Sequence, residues 1–177
     1  PVRTMVTLAD GDDAGREISF QEYFVQRRHD VAVSAVRFEG ADAASPGPEV
    51  LTALCEAERV VIAPSNPIVS IDPVLAVPWV RDAIEAARDR VVAVSPIIAG
   101  SALKGPADRL LRELGHEPTV VGIARLYAPL AAALVVDEAD AHLADAVAAE
   151  GIRPLVTRSV MSEAGVAASL ARVVLAG

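Results

Sequence analysis

Cysteine, aromatic residues and long apolar runs are what this sequence has least of. A single cysteine, Cys55, in 177 residues excludes an intramolecular disulfide framework and fits a reducing compartment. Three Phe, two Tyr and one Trp are the only aromatic residues, so a core has to be assembled from smaller side chains. No stretch approaches the ~18 consecutive apolar residues of a membrane-spanning helix. The longest candidate, Ala128 to Val136, is interrupted by Pro129 and closed by Asp137. No secretory signal opens the chain, which begins at Pro1 in what reads as mid-protein sequence. Together these features predict a cytoplasmic protein with no membrane partner. Basic charge is also short: Lys and Arg number 16 against 24 Asp and Glu, for a net charge of −8. That balance argues against nucleic acid as a partner. It leaves room for a small anionic ligand, which needs only local donors. His29, His116 and His142 are scattered with no metal-ligand spacing, and each reads as a surface or helix-end residue.

What the chain does have is small apolar residues. Ala (34) and Val (26) dominate an apolar fraction of 53%, which excludes a disordered chain. The length suits about one domain. Short apolar runs alternate with amphipathic stretches: Val60–Ala63, Val91–Val94 and Leu134–Val136, with Arg153–Thr157 a weaker fourth. Continuous Val/Ile runs of this length suit strands covered on both faces. The alternation predicts an α/β fold, Rossmann-like, with a mostly parallel sheet and helices on both faces. Val31–Phe38 alternates less cleanly and reads as an edge strand. Ser19-Phe20-Gln21-Glu22 is a capping box that would start a short helix through Arg28. Val80, Ile84 and Ala87 recur at helical spacing. Pro106 suits the first turn of a helix through Leu114, with Gly115 placed to end it. Asp137–Glu150 reads as an Ala-rich helix ended by Gly151. Ser162 is placed to cap a last helix through Val174, and Gly165 reads as a packing point within it. Cys55 falls in a helical pattern, where it would pack as a small apolar side chain. Asp137, Glu138 and Asp140 crowd a helix start, where acids favour the dipole.

Two loops stand out because each directly follows an apolar strand, and ligands in open α/β sheets sit outside the carboxyl ends of strands. The first is Ala63-Pro64-Ser65-Asn66-Pro67-Ile68-Val69-Ser70-Ile71. Ser65, Asn66 and Ser70 place short polar side chains there, and two prolines stiffen the backbone. A plain Asx or Ser turn is the competing reading. The second runs from Ser95 to Pro106. Gly100 and Gly105 permit close approach or positive φ, Lys104 supplies a cation, and the following helix supplies the positive end of its dipole. The Gly-Lys-Ser/Thr of a P-loop is absent, and a loop with a solvated lysine is the competing reading. Two such loops on successive strands would converge on one crevice suited to a phosphate or diphosphate.

At these residues the sequence resembles a known family. Pro1-Val2-Arg3-Thr4, Phe20-Gln21-Glu22-Tyr23-Phe24-Val25, Ala63-Pro64-Ser65-Asn66-Pro67 with Ser70-Ile71, and Val94-Ser95-Pro96-Ile97-Ile98 with Lys104-Gly105-Pro106 occur in the same order as in the 2-phospho-L-lactate transferases. The likeness is to the actinobacterial phosphoenolpyruvate transferases of coenzyme F-420 biosynthesis. The resemblance implies transfer of a phosphoenolpyruvyl or 2-phospho-L-lactyl group from a guanosine-diphosphate-activated acid to the deazaflavin Fo. GMP would leave, Mg2+ would assist, and the enzyme would be a homodimer. Ser65, Asn66, Ser70, Ser95, Gly100, Lys104 and Gly105 are the candidates for holding the nucleotide or its diphosphate, with no nucleophile among them.

The departures from the family are informative. The family's opening Gly-rich segment, its metal carboxylates and its Fo contacts have no counterpart here. Residues 1–177 therefore read as the C-terminal part of one α/β transferase domain, expected to lack the metal site and to be inactive alone. Position 99 is Ala where the family's loop would carry Gly. Two other functions compete: a non-catalytic regulator of related fold that binds nucleotide sugars, and a structural or dimerising fragment packing through Ala-rich helices.

Overall fold

The carboxyl ends of four parallel strands define one rim of the molecule. A computed structural model describes residues 1–103 and 105–177. The chain opens with β1 (Arg3–Leu8) and β2 (Glu17–Ser19). A π-helical turn at Glu22–Gln26 and β3 (Val33–Glu39) follow. These strands form a 3-stranded antiparallel sheet in the order β2-β1-β3. Helix α1 (Val50–Glu56) leads to β4 (Val60–Ile62), and α2 (Asp72–Leu75) and α3 (Val80–Ala86) lead to β5 (Val91–Val94). A hairpin of β6 (Ile97–Ile98) and β7 (Ser101–Ala102) precedes α4 (Ala107–Glu113) and α5 (Val120–Tyr127). Strand β8 (Ala133–Val136), a 3-10 turn at Glu138–Leu143, α6 (Ala144–Ala149), β9 (Arg153–Val156) and α7 (Val166–Ala176) complete the fold.

The sheet β4-β5-β8-β9 is parallel throughout, with Val61 opposite Val92, Ala93 opposite Leu134 and Val135 opposite Leu155. The predicted Rossmann-like arrangement is present, and its strands are the apolar runs of the sequence. Successive strands add in one direction, and right-handed crossovers of that kind return their connecting helices to one face. The packing agrees. Val91, Ala93, Leu134 and Val136 bury against Ile84, Leu110, Leu111, Ile123 and Val147 on that face. On the other face Val92, Val94, Ala133 and Val135 bury against Leu170 and Val174 of α7. Alternation within a run of consecutive valines thus serves both layers.

The small sheet carries little sequence signal, because its strands are half-polar and lack a continuous apolar run. Val6, Leu8, Ile18 and Val33 turn into the same core as the larger face. The expected edge strand near Val31–Phe38 is an edge, but of this antiparallel sheet. Helix α5 also escaped the sequence pattern: it begins at Thr119, whose hydroxyl accepts from the Gly122 N–H at 3.2 Å.

Several local expectations need correction. The capping box forms only on the serine side, with Glu22 N–H donating to Ser19 Oγ at 3.1 Å. Glu22 itself faces Arg27 at 4.0 Å, and the segment winds as a π-turn. Asp137–Glu150 splits into the 3-10 turn and α6. Cys55 lies in α1 but is exposed. Gly165, at φ +81, is the residue before α7, so Ser162 is not its cap. A Cβ at Gly165 would meet nothing within 4 Å, so it is not a packing point either.

Candidate functional site

The two predicted loops do meet. A cleft of about 570 Å³ lies at the carboxyl rim of the parallel sheet. Pro64 and Asn66 come to it from the loop after β4, and Ser95, Pro96, Ile98, Ala102 and Leu103 from the segment after β5. Ala107, at the start of α4, also lines it. Its remaining wall is the segment after β9, with Ser159, Val160, Met161 and Ser162. Sequence reasoning missed this wall. The available signal was positional: Arg153–Thr157 was a strand candidate, so the residues after it fall at the same rim.

Asn66 is fixed by its own turn. Its Oδ1 accepts from the Ile68 N–H at 2.9 Å and the Val69 N–H at 3.3 Å, capping the turn at Pro67–Ile71. Two backbone donors on Oδ1 settle which way the amide faces. The Nδ2 group is buried and finds no hydrogen-bond partner among the described residues. A buried amide donor left unmatched costs about 1–3 kcal/mol, a cost that an acceptor brought within reach of it would remove.

The other predicted residues separate into groups. Ser95 is buried and lines the cleft, but its hydroxyl is occupied locally. It donates to the Ile97 carbonyl at 2.9 Å and accepts from the Ile97 N–H at 3.2 Å. It shapes the loop. Gly100 and Gly105 lie at φ +74 and +71, the left-handed region that glycine enters freely. Ala99 and Gly100 join β6 to β7, and Ala99 is also left-handed, at φ +50. A two-residue hairpin connection with both central φ values positive has the character of a type I′ turn. That explains why glycine would be the easier residue at position 99. Ser65 and Ser70 are not among the residues that line the cleft, and Ser70 is exposed on the turn that Asn66 caps. Lys104 lies outside the described residues.

Charge at the rim is organised by Asp137, which is 8% exposed. It accepts hydrogen bonds from the Ala139 N–H at 3.0 Å, the Ser159 N–H at 2.8 Å and the Ser159 Oγ–H at 2.7 Å. Burial works to raise the Asp137 carboxyl; the bonds from Ala139 and Ser159 outweigh it and hold the group below its ordinary range. The helix-start reading of Asp137 is therefore right but incomplete. Among the described residues no group of three or more His, Cys, Asp or Glu gathers as metal ligands. No helix among them is long and apolar enough to cross a membrane.

Residues 1–174 match the family 2-phospho-L-lactate transferase CofD. The chain belongs to this family. It is 41% identical over 176 residues to a phosphoenolpyruvate transferase of Kitasatospora aureofaciens, covering 99% of this chain and 54% of that relative. Identity to the phosphoenolpyruvate transferase of Thermobifida fusca is 44% over 141 residues, 79% of this chain and 43% of the relative. The Mycolicibacterium smegmatis phosphoenolpyruvate transferase is 35% identical over 170 residues, 96% of this chain and 52% of its own length. The chain thus spans about half the length of the curated relatives it matches. In fold it resembles the crystal structure of protein BH3568 from Bacillus halodurans, with a TM-score of 0.63 at 17% identity over 98% of this chain and 58% of that one.

Proposed function

We propose that this CofD-family chain forms the nucleotide-holding part of a phosphoenolpyruvate transferase of coenzyme F-420 biosynthesis. The donor is a guanosine-diphosphate-activated three-carbon acid, enolpyruvyl or lactyl, and the acceptor is the side-chain hydroxyl of the deazaflavin Fo. The hydroxyl oxygen forms a bond to the phosphorus that bears the acid. The bond from that phosphorus to the bridging oxygen breaks, GMP leaves with the electron pair, and the hydroxyl proton passes to solvent or a base. In-line displacement of this kind asks for positioning and charge neutralisation more than for covalent help.

The single observation that carries the reading is Asn66, a residue lining the cleft whose amide is oriented by its own turn and keeps an unmatched buried donor. A phosphate or carboxylate oxygen of the donor is the acceptor it suits. Leu103 and Met161, one from the segment after β5 and one from the segment after β9, also line the cleft and are 59% and 49% exposed, which suits a flat ring entering from solvent. Ser65, Ser70, Gly100 and Gly105 stand outside the cleft lining, so any part they take is through the backbone of the loops that carry the lining residues. The magnesium implied by the family resemblance would be held by carboxylates in the part of the relatives that this chain does not span. A homodimer is part of the same proposal.

Calorimetric titration of the full-length gene product with GDP and, in parallel, with a UDP-sugar tests the assignment. Guanine-nucleotide binding is expected. A UDP-sugar response with none to GDP would instead assign a regulator of related fold. Supplying Fo, magnesium and each activated acid, with GMP and coupled deazaflavin as readouts, then identifies the donor.

A further inference from the structure

The two walls of the cleft come from distant parts of the chain, yet both are tied to one short segment. Asp137 and Asp140 stand three residues apart on the 3-10 turn that leaves β8, with Asp140 N–H donating to the Asp137 carbonyl at 2.9 Å. Asp140, only 2% exposed, accepts from the Ala99 N–H at 2.9 Å through Oδ2. Ala99 is the left-handed residue of the β6–β7 turn. Asp137 accepts from both Ser159 donors on the opposite wall. Neither contact is local in the chain: the pairs are separated by 41 and 22 residues. Buried carboxylates are strongly penalised when their donors withdraw. Each acid therefore resists outward movement of the loop it grips.

We propose that Asp137 and Asp140 are positioning residues that set the separation of the two cleft walls, Asp140 by holding the β6–β7 turn and Asp137 by holding the Ser159–Ser162 segment. Nothing in the geometry asks either acid to touch the ligand. The inference rests on the nucleotide reading above, and extends it to what fixes the site before a nucleotide arrives. The same contact helps hold the left-handed alanine at position 99, whose N–H donates to Asp140.

The test compares Asp140→Ala with Asp140→Asn in the full-length gene product. Two quantities are read: the Kd for GDP, and the hydrogen-exchange protection of the Ala99 and Ser159 amides without nucleotide. Asp140→Ala is expected to weaken GDP binding about tenfold, the range of one charge-assisted hydrogen bond, and to strip protection from the Ala99 amide while Ser159 stays protected. Asp140→Asn keeps an oxygen facing Ala99 and is expected to restore both readings to within about threefold. Wild-type GDP affinity in Asp140→Ala, or an Asn variant as impaired as the Ala variant, overturns the proposal. Should Asp140→Ala fail to fold, Asp137→Asn takes its place. It leaves one oxygen for two sets of donors, so loss of Ser159 protection with weakened GDP binding is expected and unchanged values count against the brace. If the wild type itself binds no GDP, the nucleotide reading fails, and amide protection alone decides whether the acids hold the walls.

Discussion

At the scale of single residues, the side chains with most to do in this chain have their hydrogen bonds divided between fold and site. Asn66 shows the division within one amide: Oδ1 is committed to the Ile68 and Val69 N–H groups, and Nδ2 is left over. Replacing Asn66 by Asp separates the two roles, because both backbone donors keep an acceptor while the free donor becomes an acidic oxygen. Stability is expected to change by less than about 1 kcal/mol, whereas GDP affinity should fall about tenfold or more. Thermal melting and titration calorimetry on the same preparation check this, and unchanged affinity would reduce Asn66 to a turn residue. Ser95 marks the limit of residue-level reading. Its place after a strand puts it on the cleft, but its hydroxyl is spent on Ile97. A sequence shows that a hydroxyl stands at a loop, not which neighbour reaches it first.

At the scale of elements, α4 joins the antiparallel sheet to the rim of the parallel one. Glu113 accepts from the buried Val33 N–H at 2.9 Å and from Arg109 Nε at 2.6 Å. Arg109 also donates to the Val31 carbonyl and, at 3.3 Å, to the Tyr23 hydroxyl. The other end of α4 reaches the cleft at Ala107. Glu113→Ala leaves a buried amide and a guanidinium without their acceptor and should cost about 2 kcal/mol in urea unfolding. Glu113→Gln, which keeps one acceptor, should cost less; equal losses would show that the carboxylate is not the link. Asp137 gives the elements around β8 a pH dependence of definite sign. Its carboxyl is held below the ordinary value of 3.8 when folded, so its stabilising contribution is complete above the unfolded value. That contribution is lost as pH falls from there through the folded value. Urea unfolding followed from about pH 7 down to about pH 3 should therefore show a shallower acid decline for Asp137→Asn than for the wild type.

At the scale of the whole molecule, the layers are unequal. One face of the parallel sheet is covered by the crossover helices and shares its core with the small sheet. The other is covered, among the described residues, by α7. Val61 of β4, on that same side by register with Val92, is left 46% exposed. The thin layer depends on few side chains, so Leu170→Ala, buried at 5%, should destabilise by about 2–5 kcal/mol. Leu175→Ala, on the outer side of the same helix at 64% exposed, should change stability by less than about 0.5 kcal/mol. Urea midpoints at constant m-value measure both, and comparable losses would mean that α7 packs differently.

The amino-acid order by itself determined the parallel sheet, since Val-rich runs separated by helical patterns have few other ways to bury both faces. It also pointed to the carboxyl rim and placed Asn66 and Ser95 there, because those positions follow strands directly. Of the small sheet only the edge strand β3 was legible; the half-polar β1 and the three-residue β2 escaped, as they offer no continuous apolar run. Only the tertiary structure decided that the Ser159–Ser162 segment closes the cleft, that Asp140 reaches Ala99, and that Asn66 keeps a donor free. Those outcomes depend on which backbone amide comes within about 3 Å of which oxygen after distant segments have packed. No local pattern encodes that distance.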